Sequence, residues 1–110
     1  MLVMEETNES FVDETPPPFI VVQIGEERLP TYAFIDSGAD GNTISYELFQ
    51  KLRNVHLKET KAMFKSFTGH TTKAQGVCEL LLHVSELICG DKFFVTQVGM
   101  QDAPLVLGRT

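Results

Sequence analysis

The sequence predicts a single, mainly β domain, a small barrel or sandwich with one short helix. Three observations support this prediction. Short runs of β-branched and aromatic residues recur along the chain and are separated by turn residues. Helical spacing of apolar residues occurs in one place only. The chain has 110 residues, 43% of them hydrophobic and 22% charged, which suits one modest core in a globular protein.

The first eighteen residues are predicted to be a flexible, acidic, proline-rich tail or linker. They end in three consecutive prolines, 16–18, which favour an extended polyproline geometry. Their acidic residues are Glu5, Glu6, Glu9, Asp13 and Glu14. The folded domain is therefore predicted to span 19–110.

The domain is predicted to begin with a β-hairpin. Its first strand is FIVVQIG (19–25), a β-branched and apolar run, and its second is TYAFI (31–35). The polar residues EERL between them supply the turn, and Pro30 is compatible with the start of a strand at an edge.

One helix is predicted over SYELFQKLR (45–53). Ser45 is a suitable N-cap, and Leu48, Phe49 and Leu52 recur at helical spacing. The other predicted elements are a strand at 60–67, a turn at 68–71, a long strand at 73–84 with a bend or bulge at Gly76, and strands at 91–98 and 103–107.

Composition argues against several classes of partner. The net charge of −6 disfavours a nucleic-acid surface, which needs clustered Lys and Arg. No apolar run approaches the roughly 18 residues needed to span a bilayer, and the acidic N-terminus does not resemble a secretion signal. Cys78 and Cys89 form no CxxC motif, so we expect no zinc site. A disulfide across a hairpin is geometrically conceivable, but without a secretion signal we expect two reduced, partly buried thiols. An intracellular protein is predicted.

The stretch AFIDSGADGNTIS (33–45) is the strongest candidate for a functional site. Asp, Ser and Gly are common turn residues, so the stretch predicts at least a turn. The apolar strand before it would hold Asp36 rigidly. Gly38 would permit close approach of a partner, and the Ser37 hydroxyl could fix the loop.

A calcium-binding loop is the competing interpretation. With Asp36 as the first ligand, Asp40, Gly41 and Glu47 fall at the fifth, sixth and twelfth positions of an EF-hand. Gly38, however, stands where a further oxygen ligand is needed, and the preceding segment is predicted to be a strand where an EF-hand has a helix. Calcium is therefore disfavoured, and we expect no metal or cofactor.

An apolar strand, then IDSGAD (35–40), then APLVLGRT (103–110) together resemble the retroviral-type aspartic proteases, the retropepsins. The resemblance covers 19–110. The motif sequences are similar to those of proteases of Ty3/gypsy retrotransposons and plant pararetroviruses, and to those of a domesticated cellular relative. It implies a small closed barrel and an aspartic endopeptidase, a hydrolase that processes a viral or retrotransposon polyprotein in the cytoplasm or in a virus-like particle. It also implies a homodimer, because each chain supplies one Asp36 to a catalytic pair.

The resemblance also implies roles for individual residues. Asp36 is the catalytic acid and base. The residues that would support its loop are Ser37, whose hydroxyl would bond across the dimer, Gly38, Ala39, and Asp40 paired with Arg109. A flap at 66–72 would close over substrate. The residues that would contact substrate are Phe67, Thr68, Gly69 and His70 of the flap, with Leu105 and Val106.

The chain departs from the family pattern in three ways. Gly41 and Asn42 follow the motif where many viral relatives carry a second acidic residue. The helix at 45–53 is reduced or lacking in the most compact viral members, and it favours a transposon-like or cellular variant. The sequence stops at Thr110, so we expect the domain to lack the C-terminal helix and strand of its relatives and to dimerise weakly. A non-catalytic, protease-like interaction domain is the alternative function.

Overall fold

The computed structural model describes residues 19–36, 38–65, 69, 71–97 and 103–108. Within these residues the chain forms eight strands and one short helix. In chain order they are β1 (Phe19–Ile24), β2 (Leu29–Ile35), β3 (Asn42–Ser45), α1 (Tyr46–Phe49), β4 (Met63–Lys65), β5 (Thr71–Lys73), β6 (Gly76–Val84), β7 (Leu87–Thr96) and β8 (Leu105–Leu107).

Six of these strands close into a barrel in the order β1-β2-β8-β3-β7-β6, and β4 pairs with β5 in a separate hairpin. The core fills the barrel, and its completely buried hydrophobic residues are Ile24, Ala33, Ile44, Phe93, Val95 and Leu105. The predicted fold class, a mainly β, closed barrel with one short helix, is confirmed. No helix among the described residues is long and apolar enough to cross a membrane.

The first hairpin forms as predicted. β1 and β2 pair antiparallel from Phe19↔Phe34 to Ile24↔Leu29. β2 begins two residues earlier than expected, so Pro30 lies inside it, opposite Gln23. β8 pairs only with the other end of β2, from Ala33 to Ile35. The missing N–H of Pro30 therefore interrupts no hydrogen bond between β2 and β8.

The strand β3 was not predicted, because its sequence NTIS looks like the continuation of a turn. It pairs with β7, which runs parallel to it, and with β8, which runs antiparallel, and all four of its residues are buried. A strand covered on both faces shows no polar–apolar alternation. The sequence therefore lacks the alternation by which a half-buried strand is recognised.

The helix is shorter than predicted and is a single turn, Tyr46–Phe49. Its predicted N-cap is confirmed, because the Ser45 hydroxyl accepts a hydrogen bond from the Leu48 N–H at 3.2 Å. The chain leaves the helical path soon after, and Asn54 has a left-handed backbone (φ 58°).

The strand predicted over 73–84 contains β6 but begins three residues too early, because Lys73 belongs to β5 and Ala74 and Gln75 lie between the two strands. Gly76 is the first residue of β6, where the segment that follows α1 crosses it. An added Cβ at Gly76 would lie 2.5 Å from Cγ of Leu57 and 2.7 Å from the Lys58 carbonyl oxygen. Only glycine allows the two segments to approach so closely, and Lys58 and Val77 exchange two backbone hydrogen bonds of 2.8 Å there.

The strand predicted over 91–98 begins earlier, at Leu87, and ends at Thr96. Gly90 and Asp91 look like turn residues, but the turn lies at Ser85–Glu86, where Ser85 has φ 56°. The strand predicted over 60–67 contains β4, and the strand predicted over 103–107 contains β8.

The two cysteines are both free, but they differ in exposure. Cys78 is 2% exposed, and burial raises the pKa of its thiol from 9.0 to about 11. Cys89 is exposed on β7, so the prediction of two partly buried thiols is wrong for this residue.

Candidate active site

Asp36 directly follows β2, next to the end of β8. Because β2 and β8 run parallel, their carboxyl ends meet at the same edge of the barrel. The Asp36 N–H extends the pairing by donating to the Leu107 carbonyl oxygen at 2.9 Å. Ala33 and Leu105, the first pair of this ladder, are completely buried. The backbone that carries Asp36 is thus held by the core.

The Asp36 carboxylate is fixed by the turn that it begins. Its Oδ1 accepts a hydrogen bond from the Gly38 N–H at 3.0 Å, and its carbonyl oxygen accepts one from the Ala39 N–H at 3.0 Å. An aspartate that bonds to the backbone two residues onward stabilises such a turn. Asp36 is half-buried, so its carboxylate is both oriented and open to solvent.

Asn42 joins three strands beneath this loop, a role that the sequence analysis missed. Its Oδ1 accepts from the Gly108 N–H at 2.9 Å, and its Nδ2 donates to the Lys92 carbonyl oxygen at 3.2 Å. An amide side chain is suited to this site because it can accept and donate at once. Asn42 itself is buried, at 2% exposed, and both of its bonds are partly buried.

Gly108 lies directly against the Asp36 loop. An added Cβ would lie 2.5 Å from the Gly41 carbonyl oxygen and 2.8 Å from the Ala39 carbonyl oxygen. The glycine of the predicted LGR segment thus lets the end of β8 pack under the loop. This close approach brings together the two distant motifs of the sequence.

The β4–β5 hairpin, which flanks the predicted flap, is attached to the same region. The Phe64 ring packs edge-to-face on Phe94, with 5.3 Å between ring centroids. An added Cβ at Gly41 would lie 3.4 Å from the Phe94 ring. The ring that contacts the hairpin therefore also lies close to the loop that carries Asp36.

Several predicted site residues lie outside the described residues, namely Ser37, Phe67, Thr68, His70 and Arg109. Gly69 is exposed with φ 89°, a conformation that favours glycine. Asp40 is exposed, and its pairing with Arg109 stays a prediction. Leu105 and Val106 are 0% and 2% exposed and lie in the barrel wall, so their contact with substrate also stays a prediction.

The geometry before the loop bears on the calcium interpretation. β2 is the strand that the sequence predicted, in the place where an EF-hand has its entering helix. Among the described residues, no group of three or more His, Cys, Asp or Glu side chains is arranged to hold a metal ion.

A small closed barrel in which an aspartate turn follows β2, with β8 inserted between β2 and β3, defines the retropepsin-like fold. The chain is similar to EIAV protease complexed with the inhibitor HBY-793, with a TM-score of 0.71, 15% identity, and coverage of 91% of this chain and 88% of that one. It is also similar to a Legionella pneumophila protein of unknown function (DUF785), with a TM-score of 0.54, 18% identity, and coverage of 84% and 80%. No protein-family model and no curated protein sequence matches the chain. At these identities the likeness establishes the fold.

Proposed function

We propose that this chain is an aspartic endopeptidase that acts as a homodimer, each protomer contributing Asp36. The observation that carries the proposal is the Asp36 carboxylate, oriented by the Gly38 N–H at the joined ends of β2 and β8. The fold shared with an inhibitor-bound protease supports it. A single chain has only one Asp-Ser-Gly turn. A twofold axis through the loop would supply the second carboxylate.

The proposed chemistry is hydrolysis by a water molecule held between the two Asp36 side chains. Two carboxylates about 3 Å apart share one proton because two adjacent negative charges repel each other. The ionised carboxylate takes a proton from water while the protonated one gives its proton to the peptide carbonyl oxygen. The resulting tetrahedral diol then collapses: one hydroxyl gives its proton to the ionised carboxylate, the C–N bond breaks, and the leaving nitrogen receives the proton of the other carboxylate. This restores the singly protonated pair.

The proposed substrate is an extended polypeptide, such as a viral or retrotransposon polyprotein. It would lie between the paired Asp36 loops and the β4–β5 hairpins. Gly69 would be near the tip of each flap, where a φ of 89° permits a tight turn. The contact between Phe64 and Phe94 would couple the position of the flap to the loop.

Replacing Asp36 with Asn tests the proposal. We expect the wild-type chain to cleave members of a peptide library at about pH 4–6, where a carboxylate pair can hold one proton. A statine-type inhibitor should block the cleavage. Asp36→Asn should lower kcat/KM by about 10⁴-fold, the scale seen when a catalytic side chain is removed. Glu86→Gln is the matched control, because Glu86 is an exposed acid in the β6–β7 turn, and its activity should equal that of the wild type.

Sedimentation and calorimetry separate the alternatives. A folded dimer that cleaves no library member would contradict the proposal and favour a non-catalytic interaction domain. Calcium titration should give no heat, and a stoichiometric heat that is lost in Asp36→Asn would support the calcium interpretation.

A further inference from the structure

Charge is distributed very unevenly along this chain. Residues 1–18 contain five acidic residues and no basic one, which accounts for most of the net charge of −6. The segment 51–73 has the opposite composition. It holds six of the nine basic residues, namely Lys51, Arg53, Lys58, Lys61, Lys65 and Lys73, and one acidic residue, Glu59. All six basic side chains are exposed.

Two of these basic residues, Lys65 and Lys73, lie on the outer face of the β4–β5 hairpin. Met63 pairs with Lys73, and Lys65 with Thr71. Along both strands exposed and half-buried residues alternate, so the half-buried Phe64 faces the barrel while Met63, Lys65 and Lys73 face outward. The ladder continues through the Ala74 N–H, which donates to the Ala62 carbonyl oxygen.

Lys61 extends the same surface. It lies two residues before Met63, and it borders one surface hollow together with Lys73 and Glu59. We name Lys61, Met63, Lys65 and Lys73 the lysine face. Lys73 stands opposite Met63 and Lys65 opposite Thr71, so Lys65 and Lys73 are diagonal neighbours on one side of the ribbon. With Lys61 they give this side a positive charge that an anionic partner would complement. The lysine face points away from the Phe94 contact.

We propose that the lysine face binds the acidic segment 5–14 of the same chain. Five carboxylates complement the three lysines, and Met63, which is 58% exposed, offers an apolar contact to Phe11 or Val12. The segment is long enough. The 14 residue-to-residue steps from Glu5 to Phe19 span up to about 46–50 Å when extended, and the longest dimension of the molecule is 51 Å. A nucleic acid is a poorer match, because the chain as a whole is acidic and would repel a polyanion.

Paramagnetic NMR on the full chain tests this proposal without relying on catalysis. A spin label is attached through Asn8→Cys in a chain that also carries Cys89→Ser, which removes the exposed thiol. We expect the amide signals of β4 and β5 to lose intensity at about 0.01 M salt, where charges interact over about 30 Å. The signals should recover at about 1 M salt, where this length falls to about 3 Å.

Two sets of variants decide the specificity of the contact. Reversing the lysine face with Lys61→Glu, Lys65→Glu and Lys73→Glu should abolish the broadening. Neutralising the acidic segment with Glu5→Gln, Glu6→Gln, Glu9→Gln, Asp13→Asn and Glu14→Gln should do the same without altering the hairpin. The control Arg28→Glu, Lys51→Glu and Arg53→Glu changes the net charge equally at other exposed positions, and it should keep the broadening.

Three results would overturn the proposal. The first is a loss of broadening in the Arg28, Lys51 and Arg53 control as large as in the lysine-face variant, which would mean that the attraction is non-specific. Another is broadening only when spin-labelled chains are mixed with separate isotope-labelled chains, which would assign the contact to a second copy. The third is an unbroadened hairpin whose amides shift on addition of a single-stranded RNA of 20 nucleotides, which would assign the lysine face to nucleic acid.

Discussion

Gly108 illustrates how one residue controls the geometry of the Asp36 loop. An alanine there would place Cβ 2.5 Å from the Gly41 carbonyl oxygen. We expect Gly108→Ala to lower the free energy of unfolding by about 1–3 kcal/mol, since backbone must move to relieve the overlap. It should also lower peptidase activity, because the loop that orients Asp36 shifts. Urea unfolding and cleavage assays measure the two effects.

Gly90→Ala is the matched control for Gly108→Ala. An added Cβ at Gly90 meets no atom within 4 Å, so this variant should change the free energy of unfolding by less than about 0.5 kcal/mol. Equal destabilisation by the two variants would contradict the role assigned to Gly108.

At the residue scale, the sequence predicted the turn at Asp36 but not the hydrogen bonds of Asn42. Asp36 belongs to a short, contiguous motif that can be recognised locally. Asn42 acts through hydrogen bonds to residues 66 and 50 positions away. No local pattern indicates such partners, because they become neighbours only when β8 and β7 flank β3.

At the scale of elements, the sequence predicted strands that alternate or are rich in β-branched residues, such as β1 and β2. It missed β3, whose burial on both faces removes the alternation. It also extended one strand across Ala74 and Gln75, where the chain passes from the hairpin to the barrel. Hairpin and barrel strands have the same local propensity, so only tertiary contacts separate them.

The β4–β5 hairpin should depend on the contact of Phe64 with Phe94. An edge-to-face pair contributes about 0.5–1.5 kcal/mol beyond the area that it buries. We therefore expect Phe64→Ala to speed hydrogen exchange of the β4 and β5 amides while the barrel strands stay protected. Met63→Ala alters the neighbouring side chain, which is 58% exposed on the opposite face, and it should leave exchange unchanged. Equal exchange in both variants would show that the ring contact does not hold the hairpin.

At the scale of the whole molecule, the buried Cys78 thiol links stability to alkaline pH. Burial in the folded state raises the pKa of this thiol from 9.0 to about 11, so the folded state holds the thiol proton more tightly than the unfolded state does. The stabilisation is complete below pH 9 and is lost as the pH rises toward about 11, because only the unfolded thiol ionises in that interval.

Urea unfolding of wild type and Cys78→Ala between pH 7 and about 11 measures this effect. The stability advantage of the wild type should stay constant up to pH 9.0 and narrow as the pH approaches the folded pKa of about 11. The exposed Cys89 provides the control, since Cys89→Ala should follow the wild type across the range. A constant difference between wild type and Cys78→Ala would refute the linkage.

The insertion of β8 between β2 and β3 also has a consequence for folding, because β8 is the last of these strands to be synthesised. Gly108 and Asn42 bond across 66 positions, so forming the Asp36 loop closes a long stretch of chain. Such contacts must overcome loop-closure entropy first and tend to make folding slow. During synthesis Asp36 emerges long before β8. A nascent chain therefore carries Asp36 without the strand that positions it, so the proposed active site is incomplete until β8 has been made.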